Sequence, residues 1–169
     1  REIKKMSGII GVGPDETNGI IDKHPKGTVI QVLHKQLATT ITGNGTTAVY
    51  ESDANGLTIA VKAGNRVTAA ISGGMQNAET TVSQYKLLVR FKEASANQDF
   101  QVQTFIGGNF SPDLHHPGVG FEVGCIAAET GDMIVQRGTI NSNAGQNTVW
   151  TSEASNYGKI HYVVTEIQA

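Results

Sequence analysis

Two adjacent histidines, His115 and His116, are the side chains in this 169-residue sequence that most readily suggest chemistry. They stand in the segment 113–117, which the sequence predicts to be a loop. Imidazole nitrogens are common ligands of transition metals, and such a pair could meet its symmetry copies at a threefold axis and bind a metal ion there. The alternative is an exposed loop in which Pro117 stiffens the entry to the next strand. Metal binding by this pair is therefore expected only in a trimer.

Three aromatic residues form a second candidate site. Trp150 and Tyr157, together with Tyr50, could stack on sugar rings if they shared one exposed surface, because an aromatic face packs against the apolar side of a pyranose. Single aromatics in or near strands also serve as core or interface residues. Glycan contact by Trp150 and Tyr157 is thus one of two interpretations.

Motifs of common enzyme classes do not occur in the sequence. The Gly-x-Ser-x-Gly pattern of hydrolases is missing, and the glycines of segment 11–13 are followed by Pro14 instead of a phosphate-binding helix. Carboxylates cluster at 15–16 and at Glu51 and Asp53, where the pattern indicates solvated charges. We therefore expect a protein that is not an enzyme and holds no cofactor.

Charge and hydropathy exclude further classes. The formal net charge of −2 and the charged fraction of 17% offer no basic surface for phosphates, so no nucleic-acid partner is expected. No apolar stretch approaches the roughly 20 residues of a membrane span, and no signal-peptide pattern opens the sequence. Cys125 is alone and lies in an apolar run, which predicts a buried thiol.

From residue 28 onward, apolar and polar residues alternate with a period of two, which is typical of strands with one buried face. The predicted strands are 28–35, 46–51, 57–61, 67–71, 85–91, 100–104, 119–125, 133–137, 148–152 and 159–167. Turn signals separate them, including 43–45, 55–56, 64–65 and 73–74. Only 83–96 could be argued to be a helix. The pattern predicts an all-β, jelly-roll-like antiparallel β-sandwich over residues 28–169.

Residues 1–27 follow a different pattern. Two isoleucine pairs, Ile9 with Ile10 and Ile20 with Ile21, are flanked by glycines and are too short to form core elements. Such a segment can lie extended on another surface and bury its isoleucines there. We therefore predict an N-terminal attachment arm over 1–27. The alternative is an arm folded back on its own domain.

Several motifs resemble structural proteins of bacteriophages. Met6-Ser7-Gly8-Ile9-Ile10-Gly11, followed by Asn18-Gly19-Ile20-Ile21, resembles the opening of short virion proteins of marine and cyanobacterial phages. Pro25-Lys26-Gly27-Thr28-Val29-Ile30-Gln31-Val32 is similar to the first strand of a β-sandwich module of tail-fibre and related virion proteins. Gly158-Lys159-Ile160-His161-Tyr162, with Thr165-Glu166-Ile167, resembles its closing strand. The motifs occur in the order that the family shows.

The resemblance implies a jelly-roll-like virion surface protein that assembles as a homotrimer in the host cytoplasm and contacts capsid or tail proteins. A trimer would cover outer-face residues such as Leu88. Two roles stay open within this expectation: capsid decoration or cementing through the arm, and recognition of a host-surface glycan by a fibre or spike tip. An alternative of another class is a free carbohydrate-binding module that uses Trp150 and Tyr157.

Overall fold

The protein is described by a computed structural model that covers residues 25–37, 39–77, 83–107, 114–141, 147–150 and 159–169. These residues form eleven strands in two antiparallel sheets, and none of them lies in a helix. The strands are β1 (Val29–Leu37), β2 (Ile41–Asn44), β3 (Val49–Tyr50), β4 (Leu57–Val61), β5 (Arg66–Asn77), β6 (Ser83–Lys92), β7 (Asn97–Gly107), β8 (Leu114–Ile126), β9 (Gly131–Asn141), β10 (Asn147–Trp150) and β11 (Ile160–Ile167).

The connectivity of the strands is that of a jelly roll. The first sheet, sheet A, has the order β1-β11-β5-β8, and the second, sheet B, has the order β4-β9-β6-β7. Numbered along the chain, the eight principal strands are thus ordered 1-8-3-6 and 2-7-4-5, which is the pattern of two interlocked Greek keys. Strand β3 lengthens sheet B beside β9, while β2 and β10 pair with each other and β10 joins the end of β5. The predicted fold class is confirmed.

Period-two alternation places the core between the sheets. In β4, Leu57, Ile59 and Val61 are buried while Thr58 and Ala60 are exposed. Each fully buried aliphatic or aromatic side chain contributes about 1.5–3 kcal/mol to folding, so the core supplies the main driving force. The core residues of sheet A are Leu37, Val67, Ala69, Ile71, Cys125, Ile160, Tyr162 and Val164, and those of sheet B are Leu57, Ile59, Val61, Leu87, Val89, Phe91, Met133 and Val135.

Two of the predicted glycine turns lie partly or wholly inside strands, and of the first only Gly45, with a φ of +99°, lies in a bend. Gly43 and Asn44 end strand β2, an element that the sequence did not predict, and Gly73 lies inside β5. A Cβ on Gly43 would stand 2.6 Å from Thr139 Cγ2, so glycine there permits close packing of β2 on β9. Gly64 does form the expected turn, with a φ of +88°.

The helical alternative for 83–96 is wrong, since β6 and the connection from β6 to β7 occupy this segment. The expectation for Leu88 is also wrong, because this residue is only 8% exposed in the single chain. A register shift between Leu87 and Leu88 breaks the alternation, so both residues are buried. Cys125 is buried and free, as predicted.

The two ends of the described chain meet at sheet A. The backbone N–H of Gly27 donates to the carbonyl of Gln168 across 2.7 Å, just before β1 pairs with β11. The predicted arm residues Ile9, Ile10, Ile20 and Ile21 lie outside the described residues, as does most of segment 1–27. Within the described ranges, no helix is long and apolar enough to cross a membrane.

Candidate functional site

The solvent-facing side of sheet A is the surface with the most features of a contact site, and we call it the outer face. Its residues alternate with the core residues of the same strands. They are Val32, His34 and Gln36 of β1, His161, Val163 and Thr165 of β11, Arg66, Thr68, Ala70 and Ser72 of β5, and Gly120, Glu122, Gly124 and Ile126 of β8.

Strand register places polar groups beside one another at one end of this face. His161 in β11 pairs with Gln36 in β1 on one side and with Ser72 in β5 on the other. Gln36 Nε2 lies 3.3 Å from His161 Nε2, within hydrogen-bonding distance. Ser72 in turn pairs with Gly120 in β8. The four positions form one row across the sheet.

A shallow depression of about 280 Å³ opens at this row. Gly120, Ser72 and Ala70 keep it open because their side chains are small or absent. His161 and Glu122 supply hydrogen-bonding groups at its rim. The depression thus combines a small-residue floor with polar groups.

Exposed apolar side chains concentrate on the same sheet. In the described part of the chain, the large hydrophobic residues that are markedly exposed are Val29 (53%), Val32 (49%), Ile126 (53%) and Val163 (36%). All four belong to strands of sheet A. Scattered apolar residues need no explanation, but their restriction to one sheet indicates a contact surface.

The outer face also carries two opposite charges. Arg66 and Glu122 are both exposed, and neither makes an ion pair or hydrogen bond with the described residues. The Arg66 side chain runs across Gly124, where Arg66 Nε would lie 3.5 Å from an added Cβ.

A buried polar cluster joins the two sheets. Arg137 is completely buried, and its Nε lies 3.1 Å from Oε2 of Glu51, which is buried as well. The hydroxyl of Tyr162 donates to Glu51 Oε1, and Arg137 Nη2 donates to the carbonyl of Thr39. Burial and the nearby Glu51 carboxylate raise the pKa of Tyr162. Because its members are closed off from solvent, this cluster cannot meet a substrate and is structural.

The sequence interpretation of Glu51 as a solvated charge is therefore wrong, since the Arg137 guanidinium, and not water, compensates the charge of its carboxylate. Asp53 does lie at the surface, where it accepts from Lys92 Nζ across 2.6 Å. A second buried carboxylate, Glu166, accepts from Asn65 Nδ2 (2.7 Å) and Gln31 Nε2 (2.7 Å) and from the backbone N–H of Lys62 (2.9 Å). Burial raises the pKa of Glu166, but these hydrogen bonds outweigh it and hold that pKa below its usual value.

Tyr50 does not offer a free stacking platform. Its ring lies against Gly138, and the guanidinium carbon of Arg90 stands 3.8 Å from the ring centroid. Arg90 is fixed in turn by Asp99, through contacts of 2.7 and 2.8 Å. The cation covers the ring, so the proposed sugar-stacking role of Tyr50 is not supported by its surroundings.

The structure places His115 and His116 in strand β8 instead of a loop, which corrects the sequence interpretation. They pair with Gln76 and Met75 of β5. One extra residue of β8 fits between Val119 and His116, and a bulge of this kind tolerates Pro117, which has no N–H to donate. The pairing of β8 therefore continues past the proline.

Two of the sequence candidates come near each other on sheet A. Strand β10, which ends at Trp150, pairs with β5 at Gln76 and Asn77, on the side opposite β8 and its histidines. The histidines and Trp150 thus belong to strands that flank the same end of β5. Tyr157 lies outside the described residues. Among the residues that the structure describes, no group of three His, Cys, Asp or Glu side chains could hold a metal ion.

The sequence interpretation missed the outer-face residues Arg66, Ser72, His161 and Glu122. Their signal was the alternation itself, because Ser72, His161 and Glu122 each stand between two inward-facing positions of their strands, and Arg66 directly precedes the core residue Val67. A polar residue in such a position normally faces water, so by itself it does not indicate a binding site. Only the order of the strands brings four of them onto one surface.

No protein-family model matches the chain, and no curated protein is similar enough to match. Among solved structures, the chain is similar to the xylan-binding domain CBM22-1 of Paenibacillus barcinonensis Xyn10C, with 14% identity over 85% of this chain and 87% of that one and a TM-score of 0.36. It is also similar to a chain of infectious bursal disease virus, Gt strain, with 8% identity over 95% of this chain and 42% of that one and a TM-score of 0.39.

A third similar structure contains the CBM22-1 and GH10 modules of Clostridium thermocellum xylanase 10B, with 10% identity and a TM-score of 0.34. The match covers 76% of this chain but only 25% of the xylanase chain, and the viral match likewise spans less than half of its chain. At such low identities and TM-scores, none of these likenesses indicates a family or a function. The jelly-roll assignment rests on strand connectivity.

Proposed function

We propose that the chain is a noncatalytic structural protein of a virus particle, which contacts other subunits through the outer face of sheet A. The restriction of Val29, Val32, Ile126 and Val163 to this sheet carries the proposal. An apolar face with few charges suits packing against another protein. The buried state of the Arg137 and Glu51 pair adds support, because these groups stabilise the sandwich rather than act on a substrate.

Within this proposal, the chain decorates or cements a capsid, or forms part of a fibre, and is attached through its N-terminal arm. Ile9, Ile10, Ile20 and Ile21 are the attachment residues, and the assembled form is a homotrimer in which His115 and His116 could share a metal ion at the axis. The motif resemblance to phage virion proteins supports a bacteriophage particle as the location. Receptor binding at a fibre or spike tip is the competing role of the same protein.

Mass spectrometry of density-gradient-purified particles, from a culture infected by the virus that encodes this chain, tests the location. Peptides of the chain are expected at a constant ratio to a major capsid protein across the particle peak. Their absence from purified particles would overturn the proposal. The 169-residue chain with Ile9, Ile10, Ile20 and Ile21 all changed to Ser should remain folded by circular dichroism but fail to bind particles that lack the wild-type chain.

Glycan binding is a second candidate function, and the depression on the outer face favours it. Glu122, His161 and Ser72 present hydrogen-bonding groups next to the apolar Val163, as a sugar with polar edges and apolar faces requires. A glycan array with the full chain tests this function. Binding that is lost in both Glu122→Gln and Gly120→Gln would locate the glycan at the depression, whereas loss in Trp150→Ala alone would locate it at the end of β10.

A further inference from the structure

We infer that the sandwich stands on the virus particle with one particular end against it, the end at which the chain enters β1 and leaves β11. This inference rests on the proposed function, because it takes the N-terminal arm as the attachment segment, and it adds which surface of the domain then meets the particle. We call this surface the terminal end. It consists of residues 25–28 and 168–169 and of the connections 62–65, 93–96 and 127–130.

Strand pairing shows that these segments share one end of the sandwich. In sheet A, a row of paired residues crosses the sheet there, formed by Val29, Ile167, Arg66 and Ile126. In sheet B, Val61 at the end of β4 pairs with Gly131 at the start of β9. Strand β5 has 12 residues and runs from this row to Asn77, so the opposite end lies about 36 Å away. We call that opposite end, where β1 and β5 end and β11 begins, the far end.

The position at which the arm joins the domain limits the distance to the particle. The backbone N–H of Thr28 donates to the Pro25 carbonyl across 3.0 Å, and the N–H of Gly27 donates to the Gln168 carbonyl across 2.7 Å, so residue 25 is fixed at the terminal end. Ile21 precedes Pro25 by four residues, which span at most about 14 Å when extended. A particle surface that binds Ile21 therefore lies close to the terminal end and far from the opposite one.

The terminal end is already ordered for such a contact. The backbone N–H of Ala63 donates to Thr130 Oγ1 across 3.0 Å, and that of Ala128 donates to the buried Glu93 carboxylate across 2.8 Å, so the three connections are joined. The exposed side chains there include the small residues Ala63, Ala94, Ser95, Ala96, Ala128 and Thr130. Small side chains and turns that are held together lose little conformational entropy when a protein surface covers them.

This orientation is compatible with the contact proposed for sheet A. The strands run from the terminal end to the far end, so the outer face stands beside the axis of the domain and is directed towards neighbouring subunits. The partner of the terminal end is thus the capsid or tail protein that binds the arm, and the far end is directed away from the particle.

Cysteine labelling on the particle tests the orientation. The 169-residue chain carries one introduced cysteine, Ala63→Cys or Ala94→Cys at the terminal end, or Thr40→Cys or Lys159→Cys at the far end, and all four positions are exposed. Each variant is labelled with a maleimide, free and bound to particles that lack the wild-type chain. Binding should slow the terminal-end labelling about tenfold or more, because access controls thiol reactivity, and leave the far-end rates unchanged.

A matched pair of variants measures how much the contact contributes to binding. Ala63→Arg and Thr40→Arg introduce the same side chain at exposed positions of the two ends, so both variants should remain folded by circular dichroism. Ala63→Arg should raise the Kd for the particle about tenfold, because the long side chain holds the two surfaces apart. Thr40→Arg should bind as the wild type does.

Equal labelling rates at the two ends of the bound chain would overturn the inference, and so would an Ala63→Arg variant that binds as the wild type does. If binding protects His34→Cys on the outer face but leaves Ala63→Cys reactive, the domain lies on sheet A, which overturns the inference while the proposed function stands. A wild-type chain that does not bind particles would contradict the proposed function itself, and the inference with it.

Discussion

The backbone N–H of Arg137 in β9 donates to the phenol oxygen of Tyr162 in β11 across 3.1 Å, so one hydrogen bond joins the two sheets through the core. The same phenol donates to Glu51, which also pairs with the Arg137 guanidinium. Each of the three groups thus satisfies the other two where water cannot reach. Burial of these polar groups is tolerated only because the cluster is complete.

Removal of the Tyr162 hydroxyl tests this dependence. Tyr162→Phe should lower the free energy of unfolding by about 1–3 kcal/mol, because Glu51 Oε1 and the Arg137 N–H each lose one buried partner and keep only the 3.1 Å hydrogen bond between them. Urea denaturation followed by circular dichroism measures the change. Tyr50→Phe is the control, since Tyr50 is only half-buried, and should cost less than about 1 kcal/mol. Equal costs would show that the cluster does not depend on Tyr162.

The ion pair itself should show strong coupling between its partners. Arg137→Met and Glu51→Leu each leave one uncompensated charge in the core, so each should cost about 3–5 kcal/mol. The double variant removes both charges and should cost much less than the sum of the two. A double-mutant cycle in urea measures this difference. Additive costs would mean that Arg137 and Glu51 do not compensate each other.

The alternation of apolar and polar residues predicted most of this fold, because the sequence of each strand alone indicates which of its two faces is buried. Strand β4 was predicted with its exact limits, and buried residues alternate with more exposed ones along the whole of β11. The short strand β2 was not predicted, because Gly43 and Asn44 are common turn residues. Glycine occurs at position 43 because Thr139, which is distant in the sequence, packs closely against it. Local patterns cannot report such a contact.

The candidate site was less accessible to sequence reasoning. Glu51 and Arg137 are 86 positions apart, and nothing in either segment shows that they pair. The outer face depends on β11, the last strand, lying between β1 and β5. Strand order of this kind is a property of the whole fold, so residues such as Arg66 and Glu122 could not be assigned to one surface beforehand.

The Glu166 carboxylate should make stability depend on pH. Its hydrogen bonds hold its pKa in the folded state below the unfolded value of about 4.3, so its contribution is complete above that pH and is lost as the pH falls through the folded-state pKa. Glu166→Gln should therefore be less stable than the wild type at pH 7, and the difference should shrink below about pH 4. Urea titrations between pH 7 and pH 3 measure both curves. A constant difference would contradict this assignment.

Two glycines, Gly138 in sheet B and Gly120 in sheet A, should differ in how much stability they lose on substitution by alanine. A Cβ on Gly138 would stand 2.5 Å from Tyr50 Cδ1 and 2.9 Å from the Val49 carbonyl oxygen, and backbone atoms cannot move aside easily. Gly138→Ala should therefore cost about 1–3 kcal/mol. Gly120→Ala, where the added methyl makes only ordinary contacts, should change stability by less than about 0.5 kcal/mol. Thermal unfolding of both variants compares them directly.

Cys125 should be almost unreactive in the folded protein. Burial, together with the nearby Glu93 carboxylate, raises the pKa of its thiol to about 12. Because the thiolate is the nucleophile, its fraction at pH 8 falls to about 10⁻⁴, roughly a thousandfold below that of an ordinary cysteine. Labelling with iodoacetamide at pH 8, followed by intact-mass measurement, should show slow modification of the native chain and rapid modification in urea. Rapid labelling of the native chain would show that β8 exposes this residue, and the sheet A pairing of β5 with β8 would then need revision, because Cys125 pairs with the core residue Val67.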